Sequence, residues 1–483
     1  MKKNTAICFA LLACMLIPAG CSLPVNSPDI NMNGILYKDL PLSPAASEQF
    51  SGITTAPAEK GTAKYGFGIT GQLKEKDTLT LDDCMLIALE NSDMLMNQAE
   101  LLYQSSLNKQ RASAALMPQV SLLSRYTQNS DSVSFGSGKS AVEFISDSSF
   151  EYWFSMKQPL FVGFRDWVFL KQTKLDIESR EDSLVFARDQ VLTAVSEAYY
   201  AILKADKDVE VTKSSLERAK QQMEKIKAKA EEGEAKKSDL LSAESMVAGL
   251  EYAIVRAEYG AKIARERMNL LLGVPVNAKY LKPLPETAVI SNDINALITT
   301  AIANRQDLKS AEIRIEYAKE GKKIALGEFL PTIMLQWDYN SNRAGYISDL
   351  DWQLYISGEM PVFEGGLKKA KVSEAESKIR QAETARNQLV KEIKFDVQRS
   401  ALELNAVTES LKALQKQVES ARATYELVQA EYNEKLSTNL EVLTANEALT
   451  NAEAQLEKEN LNLEVAILKL KLATGTLSTG NNR

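Results

Sequence analysis

The chain repeats itself, and that constrains its fold more than any single residue. Ala88-Leu89-Glu90-Asn91 matches Ala301-Ile302-Ala303-Asn304 at an offset of 213, and Leu116-Met117-Pro118-Gln119-Val120 matches Phe329-Leu330-Pro331-Thr332-Ile333 at the same offset. From Pro159-Leu160-Phe161-Val162-Gly163 and Pro361-Val362-Phe363-Glu364-Gly365 onward the offset is 202, as it is for Asp239-Leu240-Leu241-Ser242-Ala243 with Glu441-Val442-Leu443-Thr444-Ala445 and for Gly273 with Gly475. A repeat held in register over such a length marks two copies of one structural unit. The eleven missing residues all fall between the Leu-Pro and Pro-x-Phe landmarks, so that segment reads as a surface loop.

Most of each copy reads as helix. From Leu367 the apolar positions Ala375, Ile379, Ala382, Leu389, Ile393, Val397, Ala401, Leu404, Leu411, Leu414, Val418, Ala421, Tyr425, Val428 and Tyr432 fall mostly three or four apart, with no Gly or Pro between them. That is coiled-coil spacing, and the many alanines let neighbouring helices approach closely. Long helices are expected over 164–231 and 366–434, each about 100 Å at roughly 1.5 Å per residue. Shorter ones over 80–117, 238–272 and 439–474 are half that length and can stack end to end beside them.

After each Leu-Pro the period changes to two. Val120, Leu122 and Tyr126 alternate with Gln119, Ser121, Arg125 and Thr127, and Phe150, Tyr152, Phe154 and Met156 with Ser149, Glu151, Ser155 and Lys157. The second copy sets Ile333, Leu335, Trp337 and Tyr339 against Gln336, Asp338 and Asn340, and Trp352, Leu354, Ile356 and Met360 against Asp351, Gln353, Ser357 and Glu359. One apolar face over about ten residues fits a membrane-spanning strand. A soluble sandwich strand alternates identically, but nothing else in the chain supplies a facing sheet. Loops are expected over 128–148 and 340–350. Four strands cannot close a barrel, and lipid does not tolerate an open edge, so the strands must find partners on other copies.

Composition narrows function by exclusion. There is no histidine, which removes histidine-based nucleophilic catalysis and histidine-ligated metal sites, and no catalytic, cofactor or metal residue is expected. With 57 basic and 64 acidic side chains the chain carries −7, which disfavours nucleic acid. The first 20 residues, with Lys2, Lys3 and the apolar run after them, read as an export signal. Ala19-Gly20-Cys21-Ser22 is similar to a lipoprotein cleavage site, so Cys21 is the expected lipidation residue and two acyl chains the anchor. Cys84 is then the one remaining thiol and is expected to be buried and inert. Met94, Met96 and Met117 are expected to serve in packing.

Together the doubled Leu/Phe-x-Pro, the doubled Pro-x-Phe-x-Gly and the Asp239–Glu244 and Glu441–Ala445 segments resemble the TolC-like outer-membrane efflux family, in its lipoprotein, NodT-like branch. The resemblance covers about 80–477. It implies a mainly α protein with membrane β: a homotrimer whose helices form a periplasmic α-barrel and whose four strands per chain contribute to a 12-stranded outer-membrane β-barrel. The implied organisation is signal 1–20, acylated segment and equatorial region 21–79, first repeat 80–272 with hairpin 119–158, equatorial linker 273–293, second repeat 294–474 with hairpin 332–360, and tail 475–483. The implied function is a passive duct from an inner-membrane pump and a periplasmic adaptor to the exterior, anchored in outer-membrane lipid, with no catalysis. Drugs, metal ions and polypeptide all stay open as cargo. A lipid-anchored periplasmic scaffold or adaptor without a barrel is the alternative.

The same resemblance places pore-constricting acids near the helical turns, at Glu441 and at its first-repeat counterpart Asp239. It assigns adaptor contact to Gly233, Lys236 and Ser238 on one turn and to Lys435, Ser437 and Thr438 on the other. A structural role competes at each position. Thr438-Asn439-Leu440-Glu441 has the spacing of a capping box, Asp239 is a first-turn acid favoured by the helix dipole, and a charged turn often only faces water.

Overall fold

A computed structural model describes residues 30–38, 40, 68, 70–73, 76–135, 142–232, 236–276, 279–280, 293–342, 350–434 and 436–477. Cys21, Gly233 and Lys435 lie outside the described residues. In chain order the elements are α1 (Met32–Leu36), α2 (Thr70–Leu73), β1 (Thr78–Leu79), α3 (Leu81–Asn91), α4 (Asp93–Ala114), β2 (Gln119–Gln128), β3 (Val133–Phe135), β4 (Val142–Ile145), β5 (Ser148–Val162), α5 (Arg165–Glu231) and α6 (Lys237–Leu272). The second repeat follows β6 (Lys279–Tyr280) with α7 (Ile294–Asn304), α8 (Gln306–Gly327), β7 (Thr332–Asn342), β8 (Trp352–Glu359), α9 (Leu367–Asn433) and α10 (Asn439–Thr474).

The long helices α5 and α9 have 67 residues each, and α6 and α10 have 36 each, so the two copies match in length. On the sheet side the helix order is α4–α5–α8–α9, and on the turn side α6–α5–α10–α9. Short helices therefore lie along each long one in two stacked tiers. The tiers meet where a helix closes on a left-handed glycine, Gly273 (φ 67°) or Gly475 (φ 66°). A Cβ on Gly273 would stand 3.0 Å from the Asn91 carbonyl oxygen, and one on Gly475 would stand 2.9 Å from the Arg305 backbone nitrogen.

Two expectations about secondary structure need correction. The helix expected over 80–117 breaks at Ser92, whose backbone is extended (φ −70°, ψ 115°) and whose hydroxyl accepts the Leu95 N–H as a new N-cap. The second repeat breaks at the equivalent place, at Arg305. Serine at an N-cap makes such an interruption inexpensive. The loop expected over 128–148 also holds structure, because β3 pairs antiparallel with β4 as a two-stranded ribbon beyond the main sheet.

The main sheet has the order β2-β5-β7-β8, all antiparallel, leaving β2 and β8 as edges. Both strand-to-helix junctions need left-handed backbone. The second repeat supplies Gly365 and Gly366, whereas the first supplies Gly163 and then Phe164 at φ 61°, a bulky residue where Cβ crowding costs about 1–2 kcal/mol. The Phe164 ring packs edge-on against Phe161, with centroids 5.0 Å apart.

The main apolar core lies at mid-height in the first repeat. Leu79, Ile87, Leu89, Leu95, Leu184, Leu192, Met268, Leu272 and Tyr280 are buried there with α1, and Cys84 lies among them. Burial, then Asp83 and Asp82, pushes the Cys84 thiol up, so it stays protonated and unreactive. Arg188 on α5 is 2% exposed. It pairs with Asp189 at 2.8 Å and donates to the carbonyls of Lys38 (2.7 Å) and Ile35 (3.4 Å), fastening α1 to α5. Met94, Met96 and Met117 are exposed on the chain, so they do not serve in core packing within it.

Candidate functional site

Two regions carry the candidate chemistry: the helical turns at one end and the sheet at the other. At the second turn Thr438 is the N-cap of α10, and its hydroxyl accepts the Glu441 N–H at 3.3 Å. Glu441 Oε2 accepts the Thr438 N–H at 2.7 Å and the Ser437 hydroxyl at 2.7 Å. The capping box expected from the spacing is complete. These bonds, Ser437 first and then the Thr438 backbone and side chain, hold the Glu441 carboxyl below its ordinary range. The residue is exposed, and the Ser437 hydroxyl and the Thr438 N–H both meet Oε2.

The first turn is built differently. Lys236 is an extended N-cap (φ −81°, ψ 147°) with no side-chain capping bond. Ser238 is exposed in the first turn of α6, and of Asp239 the structure describes only the helical backbone. Since α6 and α10 both pack on α5, the two turns stand at the same end of the chain.

At the other end the sheet has two unlike faces. Val120, Leu122 and Tyr126 of β2, Phe150 and Phe154 of β5, Tyr339 of β7, and Trp352, Leu354 and Ile356 of β8 share one face and are all exposed. No charged residue of these four strands falls on it. All five charges, Arg125, Glu151, Lys157, Asp338 and Glu359, alternate onto the opposite face. An apolar sheet face of this extent, bounded by two open edges, belongs in lipid rather than water. Among the described residues no helix is long and apolar enough to cross a membrane.

The sequence reading missed one feature of the charged face. Trp153 and Leu123 stand directly opposite each other on it, and Tyr355 lies two strands away. The signal was available in the alternation, since Trp153 has the parity of Glu151 and Ser155.

The paired long helices and the amphipathic antiparallel sheet define a protein that puts β-strands into a membrane and carries a helical body beneath them. A family model for outer membrane efflux proteins matches residues 87–274 and 297–476. The chain belongs to that family, and as an efflux channel protein its place is the outer membrane. Outer membrane protein TolC of Vibrio cholerae is 22% identical over 323 residues, 65% of this chain and 74% of that one. Nodulation protein T of Rhizobium leguminosarum is 24% identical over 280 residues, 56% and 57% of the two chains. Among solved structures, the outer membrane protein VceC of Vibrio cholerae has a TM-score of 0.69 at 17% identity, covering 82% of this chain and 96% of that one, a likeness of fold.

Proposed function

We propose that three copies close into one passive duct, with twelve strands in the outer membrane and the helices as a tube below, and that no step is catalysed. The observation that carries this is the mismatch between equivalent positions of the two repeats. On α10, Ala454 and Leu461 are 8% and 5% exposed; their counterparts at the 202 offset, Tyr252 and Tyr259 on α6, are 66% and 60% exposed. On α5, Thr193 and Tyr200 are buried, whereas their counterparts on α9, Phe395 and Leu402, are 60% and 61% exposed. Inside the chain α10 lies against α5. The equivalent contact sets α6 of one copy against α9 of the next, which would bury both apolar strips.

The strand–helix junctions agree. A Cβ on Gly163 would stand 2.2 Å from the Gly327 carbonyl oxygen, whereas Gly365 faces open space. The counterpart of Gly327 is Ala114, on the outer helix α4, where a second copy would bring it to Gly365. The open edges β2 and β8 would pair in the same closure, satisfying their backbone groups in lipid.

In this assembly Lys236, Ser238, Ser437 and Thr438, with Gly233 and Lys435, would meet a periplasmic adaptor linked to an inner-membrane pump. Glu441 and Asp239 would narrow the mouth with converging carboxylates that favour cations. Cys21 would carry the acyl anchor. Cysteines at Gly260 and Ala406, the counterparts of Asn462 and of Lys204 that bonds to it, test the closure. Joined by a short bismaleimide in whole membranes, they should give covalent dimers and trimers; monomer alone would overturn the assembly.

A further inference from the structure

The charged face of the sheet, which lines the lumen if the duct reading holds, carries a second feature that a water-filled wall does not require. A concave trough of about 460 Å³ runs across β2, β5, β7 and β8, lined by Leu123, Trp153, Lys157, Asp338 and Tyr355 among others. Its size is that of a small-molecule site. Asp338 is held there by neutral groups alone: the Gln336 amide donates to both its oxygens at 3.0 Å, and the Tyr355 hydroxyl donates at 3.4 Å. Among the described residues no lysine or arginine nitrogen comes within 4 Å of it. The other acid of the trough, Glu151, sits opposite Arg125, whose guanidinium lies 5.4 Å from the centre of the Trp153 ring. Among the described residues Asp338 thus makes no direct ion pair, on a face that carries two aromatic rings.

We propose that this trough is a contact station for flat organic cations, with Asp338 as the counter-charge and Trp153 and Tyr355 as the ring surfaces. An uncompensated carboxylate attracts the cation, and an aromatic face accepts both its charge and its planar area. The trough is lined by two acids, Glu151 and Asp338, and two bases, Arg125 and Lys157, so the preference for a positive ligand comes from Asp338, whose neighbours in register are the neutral Ser155 and Gln353. Asp338 stands opposite Ser155 in register and Lys157 opposite Gln336, one row nearer the helices, which makes a flat anion the competing ligand. The proposal rests on the duct reading.

The test is block of ion current through the full-length protein in planar bilayers by proflavine, a planar cation, and by naphthalene-2-sulfonate, a planar anion. Proflavine should block at lower concentration than the sulfonate. Asp338→Asn, which keeps shape and hydrogen bonding, should raise the half-blocking concentration of proflavine about tenfold. Trp153→Leu should raise it by a smaller factor. Equal block by the two probes, or block unaltered in Asp338→Asn, would overturn the site. Wild-type protein that passes no current would sink the duct reading and the site with it, a failure distinct from a conducting channel with unaltered block.

Discussion

At mid-height the two repeats solve the same problem with different chemistry. Each must join a broken helix, the end of its partner half-helix and one long helix. In the first repeat the junction is covered by α1 and by the parallel pair β1–β6, and beneath them lies an extensive apolar core. In the second, the described cluster is only Ala301, Leu308, Ile393, Val397 and Ala473, with a few half-buried neighbours. There a charged group does much of the joining: Arg305 makes a two-pronged bond to Asp307 (3.0 and 2.6 Å), reaches Asp396 at 3.5 Å, and stacks over Phe186 at 5.3 Å. Duplication preserved backbone geometry and helix length. It did not preserve what covers the junction, so the same helical spacing buries very different amounts of apolar surface.

The sharpest way to break this comparison is Arg188→Ala. Its counterpart in the second repeat is Val390, half-buried against the smaller cluster. Removing the guanidinium takes the Arg188 ion pair from the buried Asp189 and frees the Ile35 and Lys38 carbonyls of the α1 strap, a loss of about 3–5 kcal/mol. Val390→Ala should cost about 1 kcal/mol, the lower end for trimming a buried side chain. Thermal unfolding in detergent should rank the two, and limited proteolysis should cut near α1 only in Arg188→Ala. Equal losses would mean that the strap contributes nothing particular.

Next come the closing glycines. Both are left-handed, so alanine is strained at either place by about 1–2 kcal/mol. At Gly475 the added Cβ also meets backbone of the α7–α8 junction at 2.9–3.1 Å, whereas at Gly273 part of the obstacle is the Asn91 side chain. Gly475→Ala should therefore lower the melting temperature more than Gly273→Ala. The reverse order would show the second junction to be the more yielding one.

How much of this was legible in the sequence depended on how local the cause was. The two copies, the long helices and the alternating strands follow from period and from Gly and Pro placement, and the capping box at Thr438 and Glu441 follows from four consecutive residues. The break at Ser92 rests on one extended residue in an otherwise helical pattern. The ribbon β3–β4 depends on pairing across residues with no strong alternation. Trp153 could be assigned to the charged face by parity, but its relation to Arg125 needed the strand register. Asp239 is a candidate only as the counterpart of Glu441, and that correspondence does not carry the cap: Lys236 has none, although Thr438 has a complete one.

That difference yields a smaller prediction. Thr438→Ala removes the hydroxyl that accepts the Glu441 N–H and should cost about 1 kcal/mol of local helix stability. Amide exchange in the first turns of α10 should rise several-fold. Lys236→Ala, at a cap with no such bond, should leave exchange in α6 unchanged. If both turns respond alike, the box at the second turn is not what orders it.

The smallest effects expected are with pH, and they run in opposite directions at two carboxyls. Glu441 is held below the ordinary carboxylate range by bonds to its ionised form, so its contribution is present above about pH 4.3, the unfolded value. It is lost as pH falls through the lower folded value. Asp182 on α5 is pushed up to about 6, by burial first and by Glu178, with Lys309 opposing. Its contribution is full below the unfolded value near 3.9 and is lost as pH rises through about 6, so the ionised form weighs against the helix at pH 8. Asp182 is only partly buried, which keeps the effect small. Asp182→Asn should thus raise the melting temperature at pH 8 relative to wild type and change it less at pH 5. Glu441→Gln should loosen the start of α10 at pH 8 and leave it close to wild type at pH 3. An Asp182→Asn variant less stable at pH 8 than wild type would mean that the attraction to Lys309 outweighs burial, reversing the sign assigned to α5.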